Sequence, residues 1–226
     1  MTEYHRVRAS LRSFMHPDPH TAEAGGQYLV RSLYYDTCDF AAVQERSNGD
    51  FGRIKLRIRS YTANGDNQPQ LLIELKTKKG GVMEKYGSFV PYTRYLHFLQ
   101  NACWDSPADP VLVEFERLYR AHSLDPVLLV QYEREGYMSK DHQPVRVTLD
   151  HNVHSARARE VFPDQLLLKP HRPRTIVLEI KSSRGREPDW LRSLVKQHSL
   201  KVVSNSKYVQ GIEIIRPNMV TPRRIV

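Results

Sequence analysis

Arg53-Ile54-Lys55-Leu56-Arg57-Ile58-Arg59-Ser60-Tyr61 is the stretch on which the fold turns. Side chains alternate between the two faces of a β-strand. Read as a strand, this stretch places Arg53, Lys55, Arg57 and Arg59 on one face and Ile54, Leu56 and Ile58 on the other. At about 3.3 Å of rise per residue the four cations form a ladder roughly 20 Å long. That length suits a chain of phosphates better than one small anion. Taken alone, the stretch reads equally well as an amphipathic strand with its charged face in water. The neighbouring strands have to decide.

Downstream, Asn64-Gly65-Asp66-Asn67 is a strong turn signal, which predicts an antiparallel pair between the ladder and residues 70–78. In that second strand Leu71, Ile73 and Leu75 share one face, and Leu72, Glu74, Lys76 and Lys78 share the other. Gly80-Gly81 turns the chain into a strand over 82–90. Upstream of a Ser47-Asn48-Gly49-Asp50 turn, residues 28–35 read as a strand with Tyr28, Val30, Ser32 and Tyr34 on one face. Further strands are predicted over 128–137, 143–150 and 175–181. They set Val130, Tyr132 and Arg134 on one side; Arg146, Thr148 and Asp150 against Val145, Val147 and Leu149; and Glu179 and Lys181 against Ile176, Leu178 and Ile180.

Apolar residues recur at helical spacing over 4–15 (Val7, Leu11, Phe14, Met15), 92–102 and 111–122. His16-Pro17-Asp18-Pro19 ends the first of these helices. Pro188 reads as a first-turn residue of a helix carrying Trp190, Leu191, Leu194 and Val195. Residues 204–215 form a last element, and 216–226 read as a basic tail that would touch, at most, anionic lipid. No internal repeat or linker is visible, so 1–215 is expected to be a single domain.

The chain has 226 residues, 40% of them hydrophobic, which is enough for a real core and excludes wholesale disorder. Its formal net charge of +9 points to an anionic partner. Cys38 and Cys103 form no CxxC pair, which fits a reducing compartment. No apolar run approaches the roughly 18 residues of a membrane span, and there is no signal-peptide core. A cytoplasmic location is expected, with the inner membrane face reached only through a membrane-protein partner. No Walker A loop, GxGxxG or GxSxG motif is present. Among the histidines, His151 and His154 lack a third ligand at a recognisable spacing and read as polar surface residues. Tyr61, Tyr132 and Tyr208 lie beside cations, but no RNA-binding signature accompanies them, so nucleic acid is not the expected partner.

Several strands thus share one pattern, an aliphatic face and a face with charges at alternate positions. The helices carry apolar stripes that need covering. The consistent solution turns the aliphatic faces outward under the helices and the charged faces inward around a barrel lumen. Such a lumen holds water, counter-ions or an anion, because an unpaired buried ion costs on the order of tens of kcal/mol by Born estimates. The excess of Arg and Lys says polyanion. Glu74 and Glu179 among them suggest a bridging divalent cation.

Ser32-Leu33-Tyr34-Tyr35-Asp36-Thr37, Lys55 to Tyr61, Glu74-Leu75-Lys76, Tyr132-Glu133-Arg134, Arg146-Val147-Thr148-Leu149-Asp150, Leu178-Glu179-Ile180-Lys181 and Ser206-Lys207-Tyr208 follow one another in this order. Together they resemble the VTC domain, the polyphosphate-polymerase branch of the triphosphate tunnel metalloenzymes, from about Phe14 to Gly211. The resemblance implies an α+β fold, an eight-stranded antiparallel β-barrel decorated by helices. It also implies transfer of the terminal phosphoryl group of ATP to inorganic polyphosphate, with Mn²⁺ or Mg²⁺. Carried over, the phosphate ligands would be Arg57, Arg59, Lys76, Lys85, Arg134, Arg146 and Lys207, and Glu179 would bind the metal. Lys55, Glu74, Asp150 and Lys181 are further lining candidates.

Two departures stand out. The family's first strand, with its lysine, has no counterpart before the first helix, where Thr2-Glu3-Tyr4 stands. Either the start lies upstream or the barrel is open by a strand. Gly87 stands where the family tends to place an arginine, removing another cation. These departures keep two other readings in view, a triphosphate hydrolase and a non-catalytic polyphosphate-binding module.

Overall fold

The computed structural model describes residues 3–48, 53–62, 69–79, 82–105, 108–141, 144–182 and 187–217. In chain order the elements are α1 (Glu3–Phe14), β1 (Met15–Pro17), α2 (Pro19–Glu23), β2 (Tyr28–Asp36), α3 (Ala41–Asn48), β3 (Arg53–Ser60), β4 (Gln70–Lys79) and β5 (Val82–Pro91). There follow α4 (Tyr92–Asn101), α5 (Pro110–Ala121), β6 (Asp125–Ser139), β7 (Val145–Ala156), β8 (Lys169–Pro170), β9 (Val177–Ser182), α6 (Asp189–Gln197) and α7 (Lys207–Ile215). The fold is α+β with a large antiparallel sheet. Its hydrogen-bonded order is β5-β4-β3-β2-β6-β7-β8, with β1 on β6 and β9 on β7. Among the described residues this sheet is not closed by hydrogen bonds.

Contacts gather the chain into two compact units. The ladder unit comprises Val30–Gln131, His154–His171 and Lys207–Val226; the second comprises Met1–Leu29, Tyr132–Val153 and Arg172–Ser206.

In the ladder unit, the strand register pairs Tyr34 with Arg57, Arg57 with Glu74, and Glu74 with Gly87. The odd-numbered β2 residues Leu33 and Tyr35, with Leu56, Ile58, Leu71, Ile73, Leu75 and Val90, bury their side chains against Tyr95, Phe98, Leu112, Phe115 and Leu118 of α4 and α5. The aliphatic face therefore lies under helices, as the pattern requires. Each fully buried Leu, Ile or Phe contributes roughly 1.5–3 kcal/mol relative to exposure. Helix α5 begins sharply because Asp109 accepts from the Val111 N–H at 2.8 Å and Pro110 occupies the first turn, where its missing N–H costs nothing.

The second unit repeats the logic with other elements. Val145, Val147 and Leu149 of β7 and Ile176, Leu178 and Ile180 are covered by Val7 and Leu11 of α1 and Leu191 and Leu194 of α6. Cross-strand register on β7 and β9 pairs Arg146 with Lys181, Thr148 with Glu179 and Asp150 with Val177.

Pro188 caps α6 from the position before it rather than sitting in its first turn; its carbonyl receives the N–H groups of Leu191 and Arg192 at 3.0 and 3.1 Å. Helices α2 and α3 carry too few apolar residues to show a period, and they escape sequence reading. The turns at Asn64-Gly65-Asp66-Asn67 and Gly80-Gly81, Gly49-Asp50, the side chains of Arg53 and Lys78, and the tail beyond Pro217 lie outside what is described. No helix among the described residues is long and apolar enough to cross a membrane.

Candidate functional site

The sheet register of the ladder unit sorts its polar face into rungs. One rung runs Ser32–Arg59–Leu72, the next Tyr34–Arg57–Glu74–Gly87, and the next Lys55–Lys76–Lys85. Adjacent strands lie about 4.8 Å apart, and like charges directly opposite each other destabilise a sheet. Three lysines in one rung repel one another, and Lys85 offsets part of that cost by reaching Glu74 in the neighbouring rung.

Glu74 is the one carboxylate among the described side chains on this face of β3–β5, against Lys55, Arg57, Arg59, Lys76 and Lys85. It is 1% exposed. Arg57 Nε donates to its Oε2 at 2.5 Å, Arg59 Nε lies 3.6 Å from the same oxygen, and Lys85 Nζ reaches Oε1 at 2.5 Å. Burial pushes the carboxyl up, but Arg59 and Arg57 outweigh it and pull it down to about 2. A divalent cation at Glu74 would have to displace three cations. Glu74 is thus the counter-ion that seats the arginines, and the suggestion that it helps bridge a metal does not fit its surroundings.

The floor of the cluster comes from β2 and α7. Arg57 Nη1 donates to the Tyr34 hydroxyl at 3.2 Å, and Arg59 Nε to Ser32 Oγ at 3.2 Å. Tyr208, beside Lys207, donates its hydroxyl to Asp36, whose other oxygen accepts the Thr37 and Ala42 N–H groups at 2.8 and 3.1 Å. Lys55 Nζ stands 5.1 Å over the Tyr208 ring. The two neighbouring phenols are tuned in opposite directions. Burial raises Tyr34, yet Arg57, Arg59 and Lys207 lower it below its ordinary value, whereas burial and Asp36 both drive Tyr208 far up. Positive potential is concentrated around Tyr34. Asp36, Tyr34 and Tyr208 were absent from the sequence-derived site; the Ser32 to Thr37 motif carried the only signal for the first two.

In the second unit Arg134, Arg146 and Lys181 each lie beside a carboxylate. Arg134 forks onto Asp150, with Nε–Oδ1 at 2.6 Å and Nη2–Oδ2 at 2.9 Å, and both are buried. Arg146 Nη2 donates to Asp18 Oδ2 at 2.8 Å. Asp18 also caps α2 through the Thr21 N–H, and although burial works against it, these bonds hold its carboxyl below the usual range. Glu179 keeps 43% of its side chain exposed, 3.9 Å from Arg134 Nη2 and 3.4 Å from Lys181 Nζ. Thr148, facing Glu179 in register, was passed over in the sequence; its Oγ1 is buried with no hydrogen-bond partner among the described residues.

No three His, Cys, Asp or Glu side chains among the described residues form a metal-holding group. A half-exposed carboxylate beside an orphaned buried hydroxyl fits a metal of the Mg²⁺ type, held by one protein carboxylate, with phosphate oxygens and water completing its shell.

His151 is not a polar surface residue. It is 8% exposed, and its Nε2 lies 3.1 Å from Glu135. Glu135, fully buried, also gathers Arg8 at 3.0 Å, Gln27 at 2.8 Å, Tyr137 at 2.7 Å and Tyr4. It lies on the same strand face as Tyr137, the face that meets α1, and so belongs to the fold rather than to the charged face.

The fold and these clusters define a cation-lined antiparallel-sheet protein with an accessible carboxylate among its arginines. The VTC domain matches residues 1–216, and the chain belongs to that family. No curated protein matches it. Among solved structures, it is similar to a protein of Bacillus halodurans provisionally assigned as an adenylate cyclase, at 15% identity over 89% of this chain and 90% of that one, TM-score 0.48. A protein of Pyrococcus horikoshii shares 14% identity over 93% and 91% of the chains, TM-score 0.47. A provisional adenylyl cyclase from Hippeastrum, described as having a dominant triphosphatase activity, shares 15% over 92% and 89%, TM-score 0.48.

Proposed function

We propose that this chain is a polyphosphate polymerase domain that transfers the terminal phosphoryl group of ATP to a growing inorganic polyphosphate chain. The observation that carries the reading is the Lys55–Lys76–Lys85 rung beside Arg57 and Arg59, a face that carries, among the described side chains, five cations to one carboxylate, Glu74. A run of phosphates offsets that repulsion along its whole length; one small anion does not. Family membership supports the same substrate class.

In this reading Arg57, Arg59, Lys55, Lys76, Lys85 and Lys207 are the phosphate ligands of the ladder unit, and Arg134, Arg146 and Lys181 are those of the second unit, each set taken by itself. Arginine suits the task because its fork meets two oxygens at once. A terminal oxygen of the polyphosphate chain attacks the γ-phosphorus of ATP, the bond to the β–γ bridging oxygen breaks, and ADP leaves with the electron pair. The transition state spreads charge over the phosphoryl oxygens, so positioned cations do most of the work and no side-chain nucleophile is needed. Glu179 would hold Mn²⁺ or Mg²⁺, which supplies charge neutralisation and in-line orientation when bound.

A second reading, a module that holds polyphosphate without turnover, is favoured by one observation. Of the two glutamates the sequence offered for a metal, Glu74 is enclosed by cations and only Glu179 stays accessible. Incubation of the purified protein with ATP and Mn²⁺, resolved on a gel stained for polyphosphate, separates the readings. ADP with long chains supports the polymerase. Free phosphate without chains means a hydrolase, and binding without turnover means the module.

A further inference from the structure

The charged cluster of the second unit contains one polar group that none of the roles above uses. Thr148 lies on β7 between Arg146 and Asp150, two residues from each and on the same face. Across the ladder its register partner is Glu179 of β9. Directly opposed residues in an antiparallel pair have Cβ atoms about 4.5–5.5 Å apart, within reach of a hydroxyl-to-carboxylate hydrogen bond. Thr148 is 4% exposed, and its Oγ1 has no partner among the described residues.

A buried hydroxyl without a partner is a cost that a valine of the same shape would not carry. The neighbours explain why it stays unsatisfied here. Both oxygens of Asp150 receive the Arg134 fork, and Arg146 is turned to Asp18. Glu179 is drawn toward Arg134 at 3.9 Å and Lys181 at 3.4 Å as an ion-paired carboxylate. Those two cations are the groups that incoming phosphate oxygens would engage. Once they turn to phosphate, the carboxylate is released toward a metal, and a fixed donor beside it sets its angle.

We propose that Thr148 positions Glu179 for a divalent cation, its hydroxyl donating to one carboxylate oxygen while the other faces the ion. The inference rests on the reading of Glu179 as a metal ligand. Thr148 touches neither substrate nor the reacting atoms; it acts through Glu179. Partners of metal ligands typically change metal affinity about 10- to 100-fold when removed.

The test compares wild type, Thr148→Val, Thr148→Ser and Glu179→Gln by calorimetry with inorganic tripolyphosphate, in EDTA and then with Mn²⁺. In wild type and Thr148→Ser, Mn²⁺ should strengthen binding. In Thr148→Val that gain should shrink about tenfold or more, with affinity in EDTA unchanged. Metal-free Thr148→Val should also melt no lower than wild type, because the hydroxyl it loses bonds to nothing in that state. If Thr148→Val keeps the full gain while Glu179→Gln loses it, the inference falls and the metal reading stands. If Glu179→Gln keeps the gain, or wild type shows none, the metal reading falls and takes the inference with it. A clear drop in the melting temperature of metal-free Thr148→Val would mean that the hydroxyl already bonds to a buried water, which also overturns the proposal.

Discussion

Glu74 organises the ladder more than any single cation does, because Arg57, Arg59 and Lys85 all turn toward its carboxylate. Removing one member of a buried ion pair leaves the others uncompensated, at a cost of about 3–5 kcal/mol. Glu74→Gln should therefore destabilise the ligand-free protein by about that much in urea unfolding. Inorganic tripolyphosphate should stabilise the variant more than it stabilises wild type, since it restores negative charge at the same cations. Equal stabilisation of both would mean that phosphate binds elsewhere. Arg57→Ala removes a phosphate fork and should weaken polyphosphate binding by about 1.5–3 kcal/mol, the range for hydrogen bonds to charged groups. An unchanged dissociation constant would place the ladder face in bulk solvent.

At the scale of elements, two glycines set how closely chain segments approach. A Cβ on Gly136 would stand 1.9 Å from Asp18 Oδ2, so β6 tolerates only glycine where the α2 cap lies against it. Asp18 accepts the Thr21 N–H at 2.9 Å and the Arg146 guanidinium at 2.8 Å, and both bonds go if it is pushed aside. Gly136→Ala should cost roughly 2–4 kcal/mol through overpacking and the lost cap, measured by chemical denaturation. Gly87 is a contrast. The nearest atom to its Cβ would be the flexible end of Leu72 at 3.2 Å, and Gly87→Ala should change stability by less than about 1 kcal/mol. Helix α7 is tied to the end of β2 through the Tyr208 hydroxyl. Tyr208→Phe removes the hydroxyl that Asp36 accepts and should loosen Lys207, lowering polyphosphate affinity while Lys55, Lys76 and Lys85 remain in place.

At the scale of the whole molecule, acid should act through its buried carboxylates. Glu74 falls from an ordinary 4.5 to about 2 on folding. Its depressed value means that it contributes stability fully above pH 4.5 and loses it as pH falls toward 2, roughly 3 kcal/mol in all. Glu135, raised by burial but lowered more by His151, Tyr4, Gln27 and Tyr137, adds a loss of the same sign. Unfolding midpoints between pH 6 and pH 2.5 should fall for wild type and fall less steeply for Glu74→Gln; parallel curves would refute the assignment. With a net charge of +9, polyphosphate affinity should also decline as salt rises from 0.05 to 0.5 M, since the screening length drops below about 10 Å in that interval.

What the sequence determined by itself is whatever repeats with a fixed local period. Alternation at every second position set the strands and sorted Arg57, Arg59, Lys76 and Glu74 onto one face. Spacing at three and four residues set α1, α4 and α5, whose apolar stripes cover the aliphatic face of their own unit's strands. What only the tertiary structure decided is how the charges are paired. Strand register, which no single strand carries, made Glu74 the counter-ion of three cations, closed Arg134 onto Asp150 and left Glu179 half exposed opposite Thr148. It likewise buried His151, whose side of β7 follows from alternation with Val145, Val147 and Leu149 but whose partner, Glu135, comes from a different strand. A side chain's face follows from its own backbone, while its partner and its exposure follow from which other segment the fold sets against it. The sequence could therefore show a cationic ladder, and only the assembled sheet could show which of its charges are already balanced.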